Sequence, residues 1–168
     1  MPKLDGQKIG GKTLFGYKQH TLVDDNGLVI AVETTAANRH DNQPLIGLVD
    51  KAALKKSSRV HADKAYCSQR HREALKERGL KNGIQDKAFR NKPLTKRQLQ
   101  RNRKITQVRY VVERTFGSQE RWFGSKILRY VGLDKAHAWH VLQAMAYNLN
   151  RLLILYVKSG RIQPSCAF

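Results

Sequence analysis

Two acidic residues stand out in a chain that is otherwise rich in basic ones. Asp63 follows residues 59–62, which read as a short buried strand, and Glu113 lies in a helical stretch, one turn after Arg109 and directly before Arg114. Carboxylate oxygens are the ligands that hard divalent cations such as Mg²⁺ prefer, and two such ions can activate water or a 3′-hydroxyl for phosphodiester exchange. A carboxylate at the end of a strand and another on a packed helix can converge on one metal centre.

The same two residues also have plausible structural roles. Asp63 could stabilise the N-terminus of a following helix, and Glu113 could form an ion pair with Arg109. Spacing alone favours these structural roles, so any catalytic interpretation needs further support from the rest of the chain.

The composition favours a partner that carries many negative charges. The chain has 168 residues, 40% of them hydrophobic, which suits one compact domain with one core. Its 32 Lys and Arg residues against 13 Asp and Glu residues give a net charge of +19. A surface this basic attracts nucleic acid, because neutralising phosphates releases counterions. A soluble basic protein such as a ribosomal component would have a similar composition.

Membrane and secretory segments are not expected. No stretch approaches the roughly 20 apolar residues of a spanning helix, and the start lacks the apolar core of a secretory signal. The two cysteines, Cys67 and Cys166, show neither CxxC spacing nor a zinc-ligand pattern. We therefore expect a reduced, cytoplasmic chain.

The central part of the chain alternates between strand and helix patterns. Two apolar, β-branched runs flank residues 25–27, Asp-Asn-Gly, which predicts two antiparallel strands and a hairpin turn. A helix is expected after Pro44, a buried strand over residues 59–63, and a second helix capped by Ser68 and ended by Gly79. This β-α-β-α series predicts an α/β fold.

The second half is predicted to be helical, with a basic segment before it. Residues 86–104 hold eight Lys or Arg residues, which could form a solvated surface or an arm that grips phosphates. A helix is predicted from Thr106 to about residues 122–124. The last helix, over residues 138–153, is apolar enough to be predicted as largely buried.

One motif match fails on its context. Residues 6–13, GQKIGGKT, fit the phosphate-loop pattern GxxxxGK[ST], which needs a strand before it and a helix after it. Only five residues precede it, too few and too polar for a core strand, and the residues after Thr13 alternate as in a strand. We therefore predict a polar loop over the first dozen residues, with Lys12 free to touch a phosphate.

Four motifs occur along the chain in a specific order: FGYKQHTLVDDNGLVIAVETTAANRHD, VHADKAY, RNKPLTKRQLQRNR and VRYVVERTFG. In this order, and over nearly the whole chain, they resemble the DDE transposases of the bacterial insertion-sequence-five family. The resemblance implies an RNase H-like core, DNA transposition by metal-dependent cleavage and strand transfer at insertion-sequence ends, and two Mg²⁺ or Mn²⁺ ions. It also implies double-stranded DNA as partner, a homo-oligomer and a nucleoid-associated location.

The resemblance assigns roles to individual residues. It implies that Asp63 is the second catalytic Asp, Glu113 the metal-binding Glu, and Arg109 a basic residue near DNA phosphates. The family often has a lysine two turns beyond the Glu, where this chain has Glu120, so Arg121 is the candidate replacement; Thr106 stands where a tyrosine is usual. The further DNA-binding candidates are Lys12, Lys18, Lys96, Arg97, Arg101 and Arg114.

The family's first catalytic Asp has no counterpart in this sequence. It lies on a central strand upstream of the FGYKQH segment, whereas Asp5 lacks an apolar strand, Asp24 and Asp25 belong to the hairpin turn, and Asp41 matches another family position. Without that strand, two buried strand edges lose their backbone partners.

We therefore expect three regions and an impaired activity. Residues 14–157 are predicted to form a partial RNase H-like domain with C-terminal helices, after a flexible basic lead-in over 1–13 and before a tail over 158–168. A missing N-terminal part is then a candidate partner. The alternative is a non-catalytic, basic DNA-binding module.

Overall fold

The structure, a computed structural model, describes residues 6–9, 12–40, 42–125 and 127–159, with side chains from residue 16 onward. The strands are β1 (Gly6–Ile9), β2 (Lys12–Phe15), β3 (Tyr17–Val23), β4 (Val29–Ala36), β5 (Arg59–Ala62) and β6 (Lys81–Ile84). The helices are α1 (Leu45–Ala52), α2 (Gln69–Glu77), α3 (Lys96–Phe123) and α4 (Leu133–Lys158). In the described part of the chain, no helix has both the length and the apolarity needed to cross a membrane.

The strands β3 and β4 form the predicted antiparallel hairpin. The Asp24 carboxylate closes its turn by accepting a hydrogen bond from the Leu28 backbone N–H, at 2.7 Å. Gly27 has a φ of +84°, a backbone conformation that favours glycine. At the start of β4, the Asn148 side chain of α4 both donates to and accepts from the Val29 backbone, at 2.8 Å each. This pair of bonds fixes α4 against the hairpin.

The strands β5 and β6 run parallel and are connected by α2, which is the right arrangement for a βαβ unit. Ser68 caps α2, as predicted, by accepting a hydrogen bond from the His71 N–H, and Gly79 follows the helix with a φ of +67°. The buried residues of this half are Leu45, Val49, Val60, Ala62, Leu75, Leu80 and Ile84. Because Leu45 and Val49 lie on α1, that helix packs on β5 and β6 as well as on the hairpin.

A buried carboxylate joins α2, β6 and α3. One carboxylate oxygen of Asp86 accepts a hydrogen bond from Arg72 Nη2 at 2.7 Å, and the other accepts one from Arg101 Nη1 at 2.9 Å. Arg101 also donates to the Asn82 and Ile84 carbonyls, and the Asn102 side chain brackets the Asp86 backbone by bonding its N–H and its C=O. The first turns of α3 are therefore held to the end of the parallel pair.

Several predicted elements are confirmed, and others need correction. The α/β class, the hairpin, α1, β5, α2 and the end of α3 at Gly124 agree with the structure. The prediction of a loop over the first dozen residues is wrong for its described part, because β1 and β2 pair there as antiparallel strands. The residues Gly10-Gly11 between two short alternating runs were the signal for it.

The helices of the second half also differ from their prediction. Helix α3 begins at Lys96, not near Thr106, because Thr95 and Gln98 form a capping box that starts a helix whose first turns are polar. The prediction that α4 is largely buried is wrong: only one of its faces is covered, and Leu142, Leu149 and Leu153 are each more than half exposed. The predicted tail begins within α4 at Lys158, and residues 160–168 lie outside the described part.

We expect the Asp86 pairs to contribute measurably to stability. In Asp86→Asn, two guanidinium groups would face each other without a shared counter-charge, which should lower the free energy of unfolding by about 2–3 kcal/mol. Asp50→Asn is the matched control, because Asp50 also binds an arginine, Arg78, but is 54% exposed. Urea denaturation should show a much smaller loss for this control; equal losses would contradict the role of Asp86.

Three histidines lie between the hairpin and α4. His140 is buried, and its Nδ1 lies 2.8 Å from Thr34 Oγ1, which His137 also contacts at 3.2 Å; His20 bonds Thr35. Burial, followed by the neighbouring His137 and His20, lowers the pKa of His140 to about 4. The folded protein therefore holds His140 neutral where an unfolded chain would protonate it.

This shift predicts acid sensitivity. The pKa of His140 is about 4 in the folded protein and 6.5 ordinarily, so only the unfolded chain takes up a proton on His140 between these values. The free energy of unfolding therefore has its full value above pH 6.5 and falls as the pH drops toward 4. In His140→Gln, the slope of unfolding free energy against pH should be shallower by about 1.4 kcal/mol per pH unit within that window. Denaturant titrations at several pH values measure the slope, and identical slopes for both proteins would refute the assignment.

Candidate catalytic and nucleic-acid site

Asp63 stands directly after β5, where the chain leaves the parallel pair. Its carboxylate caps a short 3₁₀ turn, Lys64–Tyr66, by accepting a hydrogen bond from the Lys64 N–H. Its second oxygen lies 3.7 Å from Arg109 Nη1, and the side chain is 38% exposed. The alternative of a structural cap is therefore realised, while one side of the carboxylate still faces solvent.

Arg109 connects Asp63 with α3. Because Arg109 reaches Asp63, the turn of α3 that carries it lies against the C-terminal end of β5. Glu113 follows about one turn later on the same helix, about 6 Å further along its axis, and is exposed. In the described chain, Arg109 forms its ion pair with Asp63 and none with Glu113, so the expected Arg109–Glu113 pair is absent. The two predicted carboxylates thus belong to neighbouring elements.

A cavity of about 870 Å³ separates the hairpin from the parallel pair. Residues 18–23 of β3 line one side, and residues 58–63, which include β5, line the other. Apolar side chains of α1 and α3, including Leu48, Val112 and Phe116, also line it. Among the strands that the structure describes, β3 pairs with β4 alone and β5 with β6 alone. The cavity therefore lies between two strand edges without backbone partners.

A second cavity, of about 470 Å³, lies between the parallel pair and the first turns of α3. Its basic lining comes from Arg59, Arg97, Arg101 and Lys104, and no Asp or Glu is among the described residues that line it. His61 borders both cavities; burial, and then the charge of Arg59, lowers its pKa, so the imidazole is neutral at pH 7. This basic groove could hold a phosphate backbone. Arg97, Arg101 and Lys104 belong to the basic segment of residues 86–104 predicted as a possible phosphate-gripping arm, whereas Arg59 was not predicted.

The other predicted DNA-binding residues are spread over the molecule. Lys96 and Arg97 are exposed at the start of α3, and Arg121 lies over the Trp122 ring at 5.0 Å. Arg101 is already engaged by Asp86 and two backbone carbonyls.

Three basic candidates lie on the hairpin side. Arg114 is partly buried beside Gly27, where its buried Nε has no hydrogen-bond partner. Lys18 lines the large cavity and donates to the Arg39 carbonyl at 2.9 Å. Lys12 begins β2, but its side chain lies outside the described part. The basic candidates therefore do not form a single cluster.

The donor chemistry at Asp63 and Glu113 suits a hard divalent cation, because both offer exposed carboxylate oxygens. The number of donors is smaller than a two-ion centre needs. Within the part of the chain that the structure describes, no group of three or more His, Cys, Asp or Glu side chains could hold a metal ion. These residues would thus supply part of a metal centre.

Comparisons with known proteins identify the family of this chain. The chain matches the family described as "Transposase DDE domain" over residues 2–149. It is 43% identical over 142 residues to "Transposase for insertion sequence element IS1106" of Neisseria meningitidis serogroup B, covering 84% of this chain and 49% of that protein. It is 33% identical over 109 residues to "Putative transposase for insertion sequence element IS402" of Burkholderia cepacia, covering 60% of this chain and 47% of that protein.

The chain spans about half the length of the curated relatives it matches. No solved structure matches it. The family match covers well over half of the chain and includes the four ordered motifs. The chain belongs to the transposase DDE domain family.

Proposed function

We propose that this chain is a catalytic portion of an insertion-sequence transposase that cuts and joins DNA at element ends. In this proposal Asp63 and Glu113 are metal-binding carboxylates, and Arg109 orients Asp63 or contacts a DNA phosphate. The chemistry that bound Mg²⁺ or Mn²⁺ supplies in such a centre is activation of water or a 3′-hydroxyl. The observation that carries the proposal is the 3.7 Å approach of Arg109 on α3 to Asp63 at the end of β5.

The electrostatics support DNA as the partner. A chain of net charge +19 gains binding free energy from released counterions wherever its cations meet phosphates. The basic groove of Arg59, Arg97, Arg101 and Lys104 begins on β5, the same strand that Asp63 follows. DNA held there would run close to the carboxylates.

We further propose that the core is RNase H-like and that a central strand from outside the described residues belongs in the large cavity. The strands β3 and β5 line it, each with a strand partner on one side only among the described residues, and side chains of α1 and α3 line it as well. A strand in that place would satisfy both edges and needs apolar side chains on both of its faces. If it also carried an Asp near Asp63, it would add the carboxylate that the described donor set lacks.

A non-catalytic DNA-binding module is the second candidate. The cap that Asp63 makes on the Lys64 N–H favours this alternative, because it is a bond that a purely structural carboxylate makes. The two candidates share the basic groove and differ in what Asp63 and Glu113 do.

Binding to duplex DNA should depend steeply on salt and on the basic groove. In the double variant Arg97→Ala/Lys104→Ala, the slope of log affinity against log salt should become shallower by about 1.8, because two phosphate contacts are lost. Lys55→Ala/Lys56→Ala removes the same charge at exposed positions away from the groove and should change the slope by less than about 0.5. Fluorescence anisotropy measures both; a salt-independent affinity, or equal effects of the two variants, would contradict the proposal.

Catalysis is testable in a hybrid protein. The isolated chain, with Mg²⁺ or Mn²⁺, is expected not to cleave or join insertion-end DNA. A hybrid in which this chain replaces the matched 142 residues of the IS1106 transposase should do so on IS1106 ends. Asp63→Asn or Glu113→Gln should lower strand transfer by more than about a hundredfold, whereas Glu77→Gln, on the exposed side of α2, should leave it unchanged.

Two outcomes would contradict parts of this proposal. Efficient strand transfer by the isolated chain would show that its core needs no further strand. A fully active hybrid carrying Asp63→Asn would show that Asp63 is structural, which is the behaviour expected of the non-catalytic module.

A further inference from the structure

The connection between β6 and α3 contains a tight turn that carries an exposed aromatic ring. The backbones of Phe89 and Lys92 bond each other in both directions, at 3.0 and 3.3 Å, so Arg90 and Asn91 form a two-residue tip. Asn91 has a φ of +67°, a left-handed conformation that asparagine tolerates in tight turns. The Phe89 side chain, next to this tip, is 62% exposed. The turn therefore presents the ring to solvent.

Both ends of this connection are anchored. On the N-terminal side, Asp86 binds two arginines, and the Asn102 side chain bonds both the N–H and the C=O of Asp86. On the C-terminal side, Thr95 and Gln98 form the capping box that begins α3. A segment that is fixed at both ends and closed at its tip loses little conformational entropy when a partner binds. The position of Phe89 is therefore largely set in advance.

The surroundings of Phe89 are strongly basic. Residues 87–104 hold eight Lys or Arg residues and no Asp or Glu, and Phe89 is the only aromatic residue between Tyr66 and Tyr110. Proteins that bind the bases of nucleic acids as well as their phosphates combine aromatic rings with cations, because the rings stack on bases while the cations hold the backbone. The cations of the turn itself, all of them exposed, are Lys87, Arg90 and Lys92.

The turn lies close to the basic groove. Phe89 follows Asp86 by three residues, which span at most about 11 Å of extended chain. Asp86 binds Arg101, which lines the groove, and Arg97 in the first turn of α3 lines it as well. A separation of this size is close to the width of the major groove of B-DNA, about 12 Å. DNA whose phosphates occupy the basic groove therefore comes within reach of the ring.

We infer that Phe89 stacks on a base of DNA held in the basic groove, at a step where the regular base stack is interrupted. An intact stack exposes no base face between its ends, so the ring finds a partner most easily at an unpaired or opened step, where unstacking costs least. The inference rests on the proposed function, because it takes DNA as the partner. It adds to that function a preference for distorted over regular duplex.

An anionic lipid surface is the other partner that attracts an aromatic ring among cations. Such a surface is flat on the scale of this turn and would contact the tip alone, whereas a DNA strand can also enter the groove that Arg97 and Lys104 line. The closeness of the turn to the groove therefore favours DNA.

Binding to distorted DNA should depend on Phe89. The unaltered chain should bind a duplex with one unpaired thymine at least about fivefold more tightly than the fully paired duplex, as expected for stacking on one base. Phe89→Ala should reduce this ratio below about twofold, and Phe89→Tyr should retain it. Leu153→Ala removes an apolar side chain that is 64% exposed on α4 and should leave the ratio unchanged. Fluorescence anisotropy measures the affinities, and circular dichroism checks that each variant is folded.

The salt dependence separates stacking from phosphate contacts. Because Phe89 carries no charge, Phe89→Ala should leave the slope of log affinity against log salt unchanged, whereas Arg97→Ala/Lys104→Ala makes it shallower. A Phe89→Ala chain that keeps the full preference for the distorted duplex would overturn the inference and leave the proposed function intact. An unaltered chain that binds neither duplex would overturn both.

Two further measurements identify what the ring contacts. With 5-iodouracil in place of the unpaired thymine, irradiation should link that base to the peptide that contains Phe89, as identified by mass spectrometry. A link to Tyr110 or Trp122 instead would contradict the inference. Vesicles of phosphatidylcholine and phosphatidylglycerol should bind the unaltered and Phe89→Ala chains equally. If Phe89→Ala weakened binding to vesicles and left the preference for distorted DNA unchanged, the ring would be assigned to a lipid surface.

Discussion

The buried carboxylate of Asp86 fixes the position of α3, and the geometry of the candidate site depends on that helix. Arg72 and Arg101 meet on Asp86 from α2 and α3, and Arg101 also closes on the carbonyls at the end of β6. A helix of 28 residues is stiff over its first few turns, so an anchor at Arg101 determines where Arg109 stands two turns later. The approach of Arg109 to Asp63 is therefore set by a carboxylate that itself takes no part in the site.

The same helix also holds the hairpin. Thr115, further along α3, is buried and lies within hydrogen-bond distance of the Gly27 carbonyl and of Tyr147 on α4. Helices α3 and α1 thus contact both the hairpin and the parallel pair, and the cavity between β3 and β5 is bounded by them. Among the described residues, helices and not strand pairing join the hairpin to the parallel pair.

Local signals in the sequence were sufficient for most of the elements. The Asp-Asn-Gly turn, Ser68 and Gly79 each act within a few residues of the chain, so the hairpin and α2 could be predicted. Asp63 and Glu113 could be placed on a strand end and a helix, but their relation depends on Asp86, which contacts residues 14 and 15 positions away in sequence. Arg101 was predicted to bind DNA, because the sequence does not distinguish an exposed guanidinium from one that is paired with a carboxylate such as that of Asp86.

The prediction that α4 is largely buried failed because the helix has two apolar faces and only one of them is covered. An apolar helix is expected to be buried, but a helix with two opposite apolar faces needs two partners, and one domain supplies only one. The cavity between β3 and β5 poses a different demand, because strand edges require backbone hydrogen bonds that a helix cannot give. An added strand could pair with the edges of β3 and β5 and would leave the exposed apolar face of α4 in water. A helix packed on that face of α4 would leave the edges of β3 and β5 unpaired. The two surfaces therefore call for separate partners, and covering one does not relieve the other.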